Sequence, residues 1–228
     1  MLFEIYFYIK ILWSFILKTI LCYGDSLTWG YNPENSGRYS FDQRWTGVLQ
    51  ENLGGDYRVI EAGLNGRTTI YDDPMMDGVM RNGAAFLPVY LESNMPVDLV
   101  IFLLGTNDLK AHISGQANEI ALGCGSLVRK ALYSCMGPNG GAPQVLLLSP
   151  PHLGETSGLM NTIFGSQKEV SMQISSHYEN VAEFFKIAYL DTATFISAAP
   201  GEGVHLLAEE NIKLGRAVAE KVKGILIV

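Results

Sequence analysis

Thr19–Tyr23 (TILCY) runs directly into Gly24-Asp25-Ser26-Leu27-Thr28-Trp29-Gly30, and this junction decides the fold. A short apolar run ending at a Gly-Asp pair reads as a strand that stops abruptly. Its lack of polar alternation predicts burial on both faces, as in a parallel sheet. Four more runs have the same character: Arg58–Glu61 (RVIE), Leu99–Leu104 (LVIFLL), Gln144–Leu148 (QVLLL) and Ile187–Leu190 (IAYL). Each leads into a turn-like cluster. Helical patterns fill the intervals at Phe41–Leu53, Ala84–Glu92, Ile113–Tyr133, Ser166–Phe185 and Leu206–Lys223. Strand and helix in alternation predict an α/β/α sandwich around a parallel sheet. Asn32–Tyr39 and Tyr71–Gly83 are expected to be loops over a site. No repeat or linker divides the chain, so residues 18–228 are read as one domain and 1–17 as an extension.

The composition narrows the function. The 228 residues carry 16 Lys+Arg against 23 Asp+Glu, a formal charge of −7. An acidic chain gains little from counterion release on a phosphate backbone, which argues against nucleic acid as a partner. Three cysteines without a C-x-x-C pair give neither a disulfide framework nor a zinc knuckle, and all three are expected as small buried hydrophobes. Hydrophobic residues reach 48%, and part of this excess lies in MLFEIYFYIKILWSFILKTILC at 1–22. On a helix, Glu4, Lys10, Ser14 and Lys18 would form a polar stripe about 120° wide. Lys10 and Lys18 interrupt the run expected of a spanning helix, and no A-x-A cleavage pattern follows. The apolar face is expected to pack on this domain or on another copy of the chain, as part of a homo-oligomer. A membrane surface comes next, then a spanning or targeting segment or a tail without function. A cytoplasmic location is expected, with membrane association or export as alternatives.

In open parallel sheets, ligands bind beyond the C-terminal strand ends. The G-x-S-x-G elbow, P-loop and G-x-G-x-x-G patterns are absent from the sequence. Ser26 sits just past the first strand, where a hydroxyl can face solvent, but a serine needs a base to become nucleophilic. Of four histidines, His112 and His177 lie in helical surroundings, and His152 follows Ser149-Pro150-Pro151, where it could line a pocket. His205 is the best base. It ends Gly201-Glu202-Gly203-Val204-His205, where Glu202 lies three residues before it and two glycines ease a tight turn. Asp191 is the alternative acid. The Asn107 amide and the N–H groups of Gly66 and Ser26 are candidate oxyanion donors for acyl transfer. Leu27, Trp29, Leu109 and Val204 are candidates for an apolar substrate pocket, with Trp45 expected in the core. Asp25 and Asp108 are expected to fix loops.

Gly24-Asp25-Ser26-Leu27, the glycine of Gly63-Leu64-Asn65-Gly66, Gly105-Thr106-Asn107-Asp108 and Glu202-Gly203-Val204-His205 resemble the four blocks of the SGNH (GDSL) hydrolase superfamily. Arg44-Trp45-Thr46-Gly47, Gly66-Arg67-Thr68-Thr69 and Asp108-Leu109-Lys110 are similar to its arylesterase/acyltransferase branch. The resemblance implies a flavodoxin-like fold with five parallel strands in the order 2-1-3-4-5. It also implies hydrolysis of short carboxylic esters through a serine acyl-enzyme, with acyltransferase or perhydrolase side activity and no cofactor or metal. The family acid is usually aspartate, whereas this chain has Glu202. Carbohydrate O-deacetylase and lysophospholipase are alternatives in the same superfamily. A decayed binding module and a flavodoxin-like redox protein are alternatives outside it.

Overall fold

The computed structural model describes residues 17–113 and 115–226. The expectations for the 1–17 extension fall on residues outside this range, apart from Leu17. Among the described residues there are five parallel strands: β1 (Lys18–Gly24), β2 (Tyr57–Gly63), β3 (Leu99–Leu103), β4 (Gln144–Ser149) and β5 (Ala188–Asp191). Their order is β2-β1-β3-β4-β5, as the resemblance implies. The described residues form eight α-helices: α1 (Ser26–Trp29), α2 (Trp45–Leu53), α3 (Gly83–Asn94), α4 (Ala117–Leu132), α5 (Gly158–Phe164), α6 (Lys168–Ser171), α7 (Ile174–Phe185) and α8 (Ala208–Ile225).

The strand side chains alternate between two dry layers. Leu21, Tyr23, Val100, Phe102, Val145 and Leu147 pack beneath α3, α4 and α7. Ile20, Cys22, Ile101, Leu103, Leu146 and Leu148 face α2 and α8, around the fully buried Trp45. Covering both faces requires helices on both sides, which the crossover connections supply. The register then levels one edge of the sheet. Gly24 pairs with Gly63 on one side and with Leu103 on the other, and Ser149 pairs with Asp191. The loops that leave these strands therefore open on a common rim.

Several helix boundaries differ from the sequence expectation. The Phe41–Leu53 pattern becomes helical only at Trp45, because Arg44 is extended and its guanidinium is clamped on Glu61 and the Tyr39 carbonyl. The Ile113–Tyr133 pattern starts at Ala117, where the Glu119 carboxylate accepts the Gln116 N–H. Ser166–Phe185 splits into α6 and α7, and at the end of α6 the Ser171 hydroxyl accepts the Leu153 N–H from the segment after β4. Cys22 and Cys124 are buried as expected, but Cys135 is exposed, beyond the end of α4. No helix among the described residues is long and apolar enough to cross a membrane.

Candidate active site

The site starts from the end of β1. Asp25 caps α1, accepting the Leu27 N–H at 2.9 Å, and this leaves Ser26 at the first helical position. The Ser26 hydroxyl lies 3.0 Å from His205 Nε2. Glu202 Oε1 lies 2.6 Å from His205 Nδ1, while Oε2 accepts the N–H groups of Val204 and His205 at 2.9 and 2.7 Å. Burial acts to raise the Glu202 pKa, but its bonds and charge interaction with His205 outweigh it and hold the carboxyl below its usual value. With Nδ1 facing a carboxylate, the imidazole presents Nε2 to the serine as an acceptor. Hydroxyl, imidazole and carboxylate in series can therefore move a proton away from Ser26.

The turn that sets this spacing is anchored. Ala199 donates its N–H to the His205 carbonyl, and Gly203 donates to Ala199. Gly203 has a φ of +80°, and a Cβ there would lie 2.8 Å from the Glu155 carbonyl oxygen. The other acid considered, Asp191, is engaged elsewhere. Its oxygens accept Ser149, Ser175 and the Ala193 N–H at the end of β5. The carboxylate beside His205 is Glu202.

The residues of the three candidate donors, Ser26, Gly66 and Asn107, line one cavity. The N–H groups of Ser26 and Gly66 donate to no other described residue. Gly66 has a φ of +80°, which a side chain at this position would strain. Asn107 begins a 3-10 turn over Asn107–Leu109. Its amide donates to the Arg67 carbonyl at 3.1 Å and only weakly to Asp25 Oδ2, at 3.4 Å. The second hydrogen is thus the one available to a ligand. Arg67, itself 1% exposed, ties this corner together. It donates to the Gly24 and Ala62 carbonyls and lies over the Tyr23 ring, 4.1 Å from its centroid. Asp108 accepts the N–H and hydroxyl of Thr69, and burial raises its pKa to about 7. Burial raises Asp25 to about 6.

Ser26, Gly66, Asn107 and His205 open on one cavity of about 170 Å³. Of the expected pocket residues, only Val204 lines it. Leu27 is buried in the layer around Trp45, because one step along α1 from Ser26 turns it into the core. Leu109 is buried in the opposite layer, and Trp29 lies under the Arg38 guanidinium instead of lining the cavity. His152 also lies outside the lining. The remaining wall comes from Tyr31, Asn65, Met76, Lys110, Met160, Ile163 and Phe164. Met76 belongs to the Tyr71–Gly83 loop expected over the site. Met160, Ile163 and Phe164 come from α5, a short helix with weak periodicity. Tyr31 stacks against His205, with ring centroids 4.1 Å apart. Asn65 and Lys110 sit inside the quoted motifs and Tyr31 directly after one, whereas nothing in the sequence marks Met160, Ile163 or Phe164. His112, expected in a helix, sits in a turn with Nε2 2.8 Å from Asp73.

Residues 22–217 match the family model for the GDSL-like Lipase/Acylhydrolase family. The chain belongs to this family. The GDSL-family chain is also similar to solved structures. A carbohydrate acetylesterase from Sinorhizobium meliloti is 40% identical, with 92% of this chain and 100% of that one covered and a TM-score of 0.86. The native aryl esterase of M. smegmatis is 41% identical, with 92% and 100% covered and a TM-score of 0.86. No curated protein sequence matches the chain. The fold, family and relatives together make this GDSL-family chain an SGNH esterase, a carboxylic ester hydrolase.

Proposed function

We propose that this esterase removes short acyl groups, acetyl foremost, from aryl, alkyl or sugar alcohols through a serine acyl-enzyme. Ser26 Oγ attacks the ester carbonyl carbon while His205 Nε2 takes its proton. Glu202 holds His205 in one tautomer and stabilises the imidazolium. The oxyanion is bound by the N–H groups of Ser26 and Gly66 and by the Asn107 hydrogen that leaves Asp25. On collapse the C–O bond to the alcohol breaks, and His205 returns the proton to the departing oxygen. Water then repeats the sequence on the acyl-enzyme, with His205 again as base. An alcohol or peroxide in place of water gives acyl transfer or perhydrolysis.

One observation carries this reading: the Glu202–His205–Ser26 chain, at 2.6 and 3.0 Å, opens on a cavity of only about 170 Å³ beside three donors. The small volume supports a short acyl group over the long chain of a lysophospholipid. The test is Ser26→Ala with p-nitrophenyl acetate, followed by an acyl-length series on the wild type. Activity is expected to vanish with the circular dichroism spectrum intact, and to fall steeply as the acyl chain lengthens. Full activity in the variant would overturn the nucleophile, and a long-chain preference would overturn the substrate class.

A further inference from the structure

We propose that Lys110 is a specificity-determining residue that donates hydrogen bonds to oxygens on the alcohol portion of the ester, selecting hydroxyl-bearing alcohols such as sugars. The proposal rests on the esterase reading above and deepens it. Lys110 closes the 3-10 turn that Asn107 opens, its N–H donating to the Asn107 carbonyl at 3.2 Å. Its side chain lines the same cavity as Ser26, His205 and the oxyanion donors Gly66 and Asn107.

The ammonium is held and incompletely used. Its Nζ lies 2.7 Å from Asp73 Oδ2, with the lysine side chain 8% exposed and the aspartate fully buried. Asp73 cannot swing away, since Oδ1 accepts the Met75 N–H at 3.0 Å and meets His112 Nε2 at 2.8 Å. An ammonium has three donors. Asp73 takes one, and no other described residue accepts from Nζ. Of the other cavity walls, Met76, Met160, Ile163 and Phe164 carry no side-chain oxygen, and the oxygens of Ser26, Tyr31, Asn65 and Asn107 take no hydrogen bond from Nζ. Burying donors without partners is unfavourable, so a bound molecule that brings oxygens there is favoured over one that does not. Asp73 balances the lysine charge, which suits neutral hydroxyl or ether oxygens. An acetyl group carries no oxygen beyond its carbonyl, so these oxygens must belong to the alcohol.

The test uses two esters matched in shape, glucose 6-acetate and cyclohexylmethyl acetate, and reads the ratio of their kcat/KM values. Because the ratio is taken on one preparation, partial loss of folded enzyme cancels. In Lys110→Met, the ratio is expected to fall about tenfold or more, chiefly through the KM of the sugar ester. If the unpaired Asp73 prevents folding, the double variant Lys110→Met/Asp73→Asn removes both charges, and the same fall is expected. An unchanged ratio, with both esters slowed equally or not at all, would make Lys110 a tie for the Tyr71–Gly83 loop and overturn the proposal. A wild type that hydrolyses p-nitrophenyl acetate but neither of these esters would also overturn the proposal, whereas one inactive on all three would instead overturn the short-acyl reading on which it rests.

Discussion

At His205, two contacts define the chemistry, one to each ring nitrogen. The glutamate at position 202 is one methylene longer than aspartate, yet its carboxylate reaches Nδ1 and two backbone N–H groups at once. Removing it would free the imidazole to adopt the wrong tautomer. Glu202→Ala is expected to lower kcat about 10²–10⁴-fold, whereas Asp191→Ala leaves kcat near the wild type. Steady-state rates on p-nitrophenyl acetate check this, and the reverse pattern would move the acid to Asp191. The Ser26–His205–Glu202 grouping was legible in the sequence because Glu202 and His205 are three residues apart and Ser26 lies just past the end of an obvious strand. The Lys110–Asp73 pair was not legible. The partners are 37 positions apart, and only the fold brings a loop residue onto a turn residue.

The elements near the site depend on a few backbone conformations. Gly203 stands between Glu202 and His205 in a left-handed conformation that leaves no room for a Cβ against Glu155. Gly203→Ala is expected to displace the turn and lower kcat at least tenfold with a smaller change in KM. Separate measurement of kcat and KM checks it, and a wild-type kcat would show that the turn tolerates a side chain. The long strands were readable from their apolar runs, and their ends fell within a residue or two. α1 and α5 were not readable as helices. Each is short, so hydrophobic periodicity has too few turns in which to appear. Yet α1 orients Ser26, and α5 supplies part of the cavity wall.

Across the whole molecule, two buried carboxyls lie behind the site. Burial lifts Asp108 from 3.8 to about 7, and Asp25 to about 6. A carboxyl with a raised folded pKa contributes stability that is fully present below its unfolded value and lost as pH rises through the folded one. Glu202, held below its usual value, acts in the opposite sense: its contribution is present above the unfolded value and lost as pH falls through the folded one. Asp108→Asn removes the first dependence. The variant's Tm minus that of the wild type is therefore expected to increase as pH rises from 3.8 to about 7. Thermal unfolding across that range checks this, and parallel curves would place the Asp108 titration elsewhere.

By itself the sequence determined the five-strand parallel sheet and singled out Ser26, His205, Glu202 and the candidate donors, which the structure brings together. Each of these depends on local information: apolar runs, strand-end punctuation and a three-residue spacing. Only the tertiary structure decided what lines the cavity. It sends Leu27 and Leu109 into opposite core layers and brings Tyr31, Met76, Lys110 and α5 to the serine. A cavity wall is assembled from segments far apart in the chain. Which side of each segment faces it depends on how the helices pack on the sheet, and no short stretch of sequence encodes that packing.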